Sequence, residues 1–115
     1  MQIIGLGTDI VEVKRIEILA QKPGALSRLF TQHELDYSLA RKNKYEHLAA
    51  RFAAKEAVFK ALPFAEIAFK NIQVSNLENG CPQVTVADER AKDLMILISL
   101  THTKEYALAT AVVQN

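Results

Sequence analysis

The chain has a single cysteine, Cys81, which excludes an internal disulfide and any cysteine-built metal cluster. No apolar run approaches the ~18 residues that a membrane span needs. The first residues, Met1-Gln2-Ile3-Ile4-Gly5, lack the positive flank of a signal peptide, and Asp9 and Glu12 interrupt the apolar stretch that follows. A cytoplasmic protein is the expectation. Charge of one sign is also scarce: 14 Lys and Arg stand against 13 Asp and Glu, a net +1, so nothing draws the whole chain to nucleic acid. There is no G-x-x-x-x-G-K-[ST] loop, no G-x-G-x-x-G fingerprint and no histidine pair at zinc spacing. Internal repeats and low-complexity segments are absent. Cys81 follows an Asn-Gly turn with no histidine or base beside it in sequence, which argues against a catalytic thiol.

At 115 residues, 50% hydrophobic and 23% charged, the chain is long enough to bury a core and reads as one globular domain spanning 1–115. Charge is unevenly spread. Residues 1–62 carry ten Lys/Arg against seven Asp/Glu, and residues 63–115 carry four against six. Lys14, Arg15, Lys22 and Arg28 are opposed only by Glu17, and Arg41, Lys42 and Lys44 form a second basic group. Such clusters read either as solvated helix faces or as a dock for an acidic partner.

Ile3 to Thr8 reads as a buried strand. Asp9 and Glu12 have capping-box spacing, which predicts a helix from about Ile10 to Ala20, ended by Pro23-Gly24. A short helical piece follows over Ala25–Phe30. Thr31 and Glu34 form a second capping box and predict a helix from Gln32 to about Ala40. The longest helix runs from about Tyr45 to Leu62 and is closed by Pro63. Leu48, Phe52, Phe59 and Leu62 form its apolar stripe, and six alanines raise its propensity. Beyond Pro63 the period changes to two. Strands are expected over Phe69–Ser75, Gln83–Val86, Met95–Leu100 and Tyr106–Val113, with a hairpin turn at Asn79-Gly80 and a short helix over Ala87–Leu94. The class is α+β: helices packed on a small, mainly antiparallel sheet.

Three segments carry candidate chemistry. In the first strand Gly5, Gly7 and Asp9 share one face. Two glycines mark close approach of a ligand or of another backbone, and Asp9 is either a helix cap or a ligand. In the long helix, Lys55 falls near the apolar stripe and reads as a snorkelling surface lysine. Glu56 and Lys60 stand at i,i+4, a spacing that suits a solvent salt bridge or a carboxylate and a lysine holding cation and phosphate. In Ser99-Leu100-Thr101-His102-Thr103, hydrogen-bonding side chains crowd the end of a strand, either capping a turn or contacting an anion. His33 and His47 read as solvated. Two carboxylates distant in sequence, with basic residues around the second, are a hard oxygen donor set that suits Mg²⁺ and a phosphorylated substrate.

These segments, in this order, resemble the holo-acyl-carrier-protein synthases, the small bacterial branch of the 4′-phosphopantetheinyl transferases. The matching stretches are Gly5-Leu6-Gly7-Thr8-Asp9-Ile10-Val11-Glu12, Leu48-Ala49-Ala50-Arg51-Phe52-Ala53-Ala54-Lys55-Glu56-Ala57 and Ser99-Leu100-Thr101-His102-Thr103, with Phe30-Thr31-x-x-Glu34-Leu35 and Asn79-Gly80-x-Pro82 beside them. The resemblance covers nearly the whole chain. It implies the phosphopantetheinyl transferase fold and Mg²⁺-dependent transfer of 4′-phosphopantetheine from coenzyme A to a serine of apo acyl carrier protein, in fatty acid biosynthesis, with release of adenosine 3′,5′-bisphosphate. By the same resemblance Asp9 and Glu56 are the metal ligands, and Lys60 neutralises the pyrophosphate. Arg51 and His102, with Thr103, hold the 3′-phosphate of coenzyme A. Lys14, Arg15, Lys22 and Arg28 dock the carrier. The resemblance also implies a homotrimer with active sites between subunits. One departure stands out: family members usually have a glycine-containing loop after the long helix, and Leu62–Phe69 has none. A module that binds coenzyme A without turnover, and a purely structural protein, are the competing readings. Intact Asp9, Glu56 and Lys60 weigh against the first, and the two-glycine strand face weighs against the second.

Overall fold

A computed structural model describes all residues, Met1–Asn115. The elements run β1 (Ile3–Glu12), α1 (Val13–Leu19), α2 (Ala25–Leu29), α3 (Gln32–Leu39), α4 (Lys44–Ala61), β2 (Ile72–Asn76), β3 (Pro82–Val86), β4 (Met95–His102) and β5 (Tyr106–Gln114), with single 3-10 turns at Phe69–Asn71 and Glu89–Ala91. β1, β5 and β4 form an antiparallel sheet in that order, and β2 and β3 form a separate antiparallel hairpin. The class is α+β, as expected.

The long helix α4 lies across the inner face of the three-stranded sheet, and small residues make that possible. β5 turns Ala107, Ala109, Ala111 and Val113 inward, all fully buried, and α4 buries Ala50, Ala53, Ala54, Ala57 and Ala61. On β1 the glycines complete the match. A Cβ on Gly7 would sit 2.0 Å from the Ala57 carbonyl oxygen, and one on Gly5 would sit 1.7 Å from that of Ala61. The two-glycine face is therefore explained by the approach of another backbone. Phe30, Leu48, Phe52, Val58, Ile72 and Val74 extend the core toward the hairpin.

The expected start of the first helix fails because of tertiary pairing. Asp9 and Glu12 form no capping box. β1 continues through both residues, pairing Asp9 with Ala109 and Glu12 with Tyr106. Val13 then donates its N–H to the Glu105 carbonyl at 2.8 Å, and α1 begins without a side-chain cap. Sheet hydrogen bonds have taken the donors that a cap would serve. The helix expected over Ala87–Leu94 is only the turn at Glu89–Ala91, and the strand expected from Phe69 starts at Ile72 after another such turn.

The Thr31–Glu34 capping box is present, with both reciprocal hydrogen bonds, but Glu34 does more than cap. It is fully buried. Its Oε1 accepts from the Thr31 N–H at 2.8 Å and also from Lys55 Nζ, while Oε2 accepts from the Val74 N–H at 2.8 Å. One carboxylate thus ties the start of α3 to α4 and β2. Lys55 is correspondingly fully buried, and the expectation of a snorkelling lysine is wrong. Burial pushes its amine below the ordinary lysine range, while the Glu34 carboxylate acts in the opposite direction.

Candidate active site

Asp9 points inward from β1 and meets α4 beside Lys60. Lys60 Nζ donates to Asp9 Oδ1 at 3.2 Å and to the Thr8 carbonyl at 3.0 Å. The lysine is half exposed and the aspartate mostly covered. Glu56, one turn earlier on α4, joins this group and not a helix-surface salt bridge with Lys60, because β1 brings Asp9 to the lysine instead. Burial, and then the neighbouring Asp9 charge, raise the Glu56 carboxyl above its ordinary range; Lys60 and Arg15 oppose them. Two carboxylates that repel each other across a shared space favour a cation between them. With oxygen donors only, the pair fits a hard divalent ion that takes its remaining ligands from phosphate and water. The strand register and the glycine contacts fix β1 against α4, so both carboxylates sit on rigid elements.

Glu56 also lines a cleft of about 630 Å³ whose floor is Ile16, Leu19, Leu29, Phe52 and Phe69. Arg15, Lys22 and Arg28 also line it, so three of the four basic residues singled out in the sequence share a cleft with Glu56. Lys14 lies in an adjoining groove that shares Arg15 and Ile18, and faces Glu17 at 3.9 Å. Beyond the cleft, the glycine-free segment is held by Arg90. Its guanidinium stacks on Phe64 at 4.0 Å and donates to the Glu66 carbonyl at 2.9 Å. Arg90 also grips Asp88 through two side-chain hydrogen bonds and lowers that carboxyl to about 2.

Arg51 and His102 line one pocket on another side of α4. Five residues separate Arg51 from Glu56, about 140° around a helix. The Arg51 side chain is buried; it donates to Asn76 Oδ1 at 2.6 Å and lies over the Tyr37 ring at 4.0 Å. Its Nε has no partner. His102 closes β4, and its Nδ1 donates to Glu46 Oε1 at 2.9 Å, since a carboxylate can only accept. The His47 ring packs between Tyr37 and His102, so it is part of this pocket and not a solvated histidine. Burial and the Arg51 charge lower its pKa. His33 is exposed, as expected, and so is Cys81. Thr103 does not join the pocket. Its hydroxyl accepts from the Glu105 and Tyr106 N–H groups at 3.2 and 3.1 Å and caps the β4–β5 turn.

Sequence reasoning missed Tyr37, Glu46, His47 and Asn76 as pocket residues. A signal for His47 was available, since His47 and Arg51 are one helical turn apart. Nothing local points to Asn76, which the β2–β3 hairpin delivers.

A carboxylate pair beside a cleft lined by basic residues, with a buried arginine and a histidine on the far side of the same helix, is an arrangement suited to handling phosphate. The model of the 4′-phosphopantetheinyl transferase superfamily matches residues 5–111. A holo-[acyl-carrier-protein] synthase of Thermodesulfovibrio yellowstonii is 44% identical over 112 residues, 95% of this chain and 96% of that protein. That of Bacillus subtilis is 39% identical over 119 residues, 98% and 97% of the two chains. Among solved structures, the Bacillus anthracis holo-(acyl-carrier-protein) synthase in complex with CoA (3′,5′-ADP) superposes with a TM-score of 0.85 at 33% identity, covering 98% of this chain and 97% of that one. The chain belongs to the 4′-phosphopantetheinyl transferase superfamily and, within it, to the holo-acyl-carrier-protein synthases. It is a phosphopantetheinyl transferase.

Proposed function

We propose that this chain uses coenzyme A and Mg²⁺ to convert apo acyl carrier protein to its holo form for fatty acid biosynthesis. The observation that carries this reading is the Asp9–Lys60–Glu56 group at the seam of β1 and α4, beside the cleft lined by basic residues. It is supported by the complexes of the Bacillus anthracis and Helicobacter pylori synthases with coenzyme A or its nucleotide part. The serine hydroxyl oxygen of the carrier forms a new bond to the phosphorus that bears pantetheine. The bond from that phosphorus to the bridging oxygen breaks, and adenosine 3′,5′-bisphosphate leaves; the serine gives up its proton. Asp9 and Glu56 would hold Mg²⁺, which when bound withdraws charge from the pyrophosphate and stabilises the leaving group. Lys60 adds a positive charge at the same place. Arg51 and His102 hold the 3′-phosphate, the kind of dianion that a buried guanidinium recognises well. Thr103, whose hydroxyl caps the neighbouring turn, is left out of this subsite. Arg15, Lys22 and Arg28, with Lys14 alongside, receive the acidic carrier.

We further propose a homotrimer with active sites between subunits. The outer face of the three-stranded sheet carries two uncovered apolar rows: Leu97, Val112 and Leu6 form one, Leu108 and Ile10 lie in another, and Ser99, Thr110 and Thr8 run between them. Leu6 is 69% exposed and Ile10 61%. Such a patch calls for a partner surface. A second copy would also explain why one chain presents Arg51 and Glu56 on different sides of α4. No helix is long and apolar enough to cross a membrane, and we place the reaction in the cytoplasm, where the exposed Cys81 thiol stays reduced.

Release of adenosine 3′,5′-bisphosphate from coenzyme A tests the reaction. It should require both apo carrier and Mg²⁺; release without either contradicts the assignment. Sedimentation of Leu6→Glu tests the assembly. A shift to monomer is expected, and an unchanged species contradicts the trimer surface.

A further inference from the structure

We infer that Glu34, together with Lys55, is a positioning residue that sets the pose of Arg51. This rests on the assignment of Arg51 to the 3′-phosphate. The geometry is specific. Glu34 hydrogen-bonds to three elements: the N-terminus of α3 at Thr31, β2 at Val74 and α4 at Lys55. The same three elements supply everything that holds the Arg51 guanidinium. α4 carries Arg51 itself, α3 carries the Tyr37 ring beneath it at 4.0 Å, and β2 ends in Asn76, whose Oδ1 accepts from it at 2.6 Å. Lys55 is one helical turn from Arg51, and Val74 is two residues from Asn76 on the same strand. The Arg51 side chain is buried with Nε unpartnered, so the direction of its remaining donors depends on the spacing of these three elements. One carboxylate, anchored where all three converge, fixes that spacing. Neither Glu34 nor Lys55 is solvent-accessible, so neither meets substrate. They act through Arg51.

The test compares coenzyme A with dephospho-coenzyme A, which lacks the 3′-phosphate, as substrates for carrier modification. The ratio of their kcat/KM values reads Arg51 engagement. Both are assayed on one preparation, so any loss of folded enzyme cancels. Arg51→Ala should lower the ratio about tenfold, the loss expected for one charged hydrogen-bonding group. Glu34→Gln and Lys55→Met should each lower it several-fold, mostly through a raised KM for coenzyme A. Val113→Ala destabilises the core at the far end of β5 and should leave the ratio unchanged. If Arg51→Ala leaves the ratio intact, the 3′-phosphate assignment itself fails. If Arg51→Ala lowers it but Lys55→Met keeps it at the wild-type value, the positioning role is overturned while that assignment stands. If Val113→Ala lowers the ratio as much as Lys55→Met, the ratio follows stability alone and the inference is again overturned. Should either variant fail to fold, the Glu34→Gln/Lys55→Met double variant, which leaves no net charge buried, decides by the same ratio.

Discussion

Two lysines five positions apart on α4 each meet a carboxylate from another element, Lys55 that of Glu34 on α3 and Lys60 that of Asp9 on β1, and the two pairs do opposite work. Lys55 and Glu34 are fully buried and hydrogen-bonded to one another, and the Glu34 oxygens also accept two backbone donors. Lys60 and Asp9 meet at 3.2 Å with the lysine half in water and a second carboxylate, Glu56, close by. The chemistry of the two pairs is the same, and burial separates them. A dry pair cannot exchange its partner without leaving a charge stranded, so it fixes structure. A wet pair trades partners at little cost, so its carboxylate remains available to a metal and its ammonium to a phosphate.

Removing one partner of the dry pair should have the largest effect on stability. Lys55→Met leaves a buried carboxylate and should lower the unfolding free energy by ~3–5 kcal/mol, read from urea denaturation. Glu34→Gln/Lys55→Met should recover much of that loss, because no net charge remains buried; failure to recover would show that shape, not charge, is decisive. Next in size are the wet carboxylates. Asp9→Ala and Glu56→Ala should each cut transfer about a hundredfold or more, with the urea midpoint nearly unchanged. Full turnover in either variant would remove it from the metal site. Gly7→Ala probes the seam that holds Asp9 to Lys60. Its Cβ meets backbone at 2.0 Å, and overpacking of this kind should cost ~1–3 kcal/mol while also lowering activity. Arg15→Glu should weaken carrier binding most at low salt; affinity that does not change with salt would contradict the dock.

The smallest effect is a pH dependence with a definite sign. The Glu56 carboxyl is raised in the folded protein, so folding is disfavoured when Glu56 is ionised. That penalty is fully present above its folded pKa and vanishes once pH falls below the ordinary glutamate value of 4.5. With chelator present, Glu56→Gln should therefore melt higher than wild type at neutral pH and equal it in acid. Added Mg²⁺ should then raise the melting temperature of the wild type and not of the variant.

The sequence made the dry pair hard to see and the wet one easy, for physical reasons. α4 was legible from its alanines and Pro63, and α3 from its capping box, because both signals are local. Lys55 was misread because helical periodicity describes one helix, and Glu34 reaches it from another. For Glu34 the sequence shows only the cap, since its bond to Val74 spans forty residues. For Asp9 the sequence leaves cap and ligand both open, because local spacing does not anticipate pairing with β5. The residues of the wet site were legible through motif resemblance, and their arrangement follows from the β1–α4 seam. Tyr37, His47 and Asn76 were not legible as one pocket, because their proximity is a product of the packed fold.

In the roles proposed above, Asp9 and Glu56 serve transfer while Glu34 and Lys55 hold the frame. The most direct test is the intact mass of an apo acyl carrier protein after incubation with the chain, coenzyme A and Mg²⁺, using wild type and Glu56→Ala in parallel. The wild type should add one phosphopantetheine, chelator should abolish the addition, and the variant should add none. An unmodified carrier with the wild type, from a preparation that a competent synthase modifies, would contradict these roles, as would undiminished modification by Glu56→Ala.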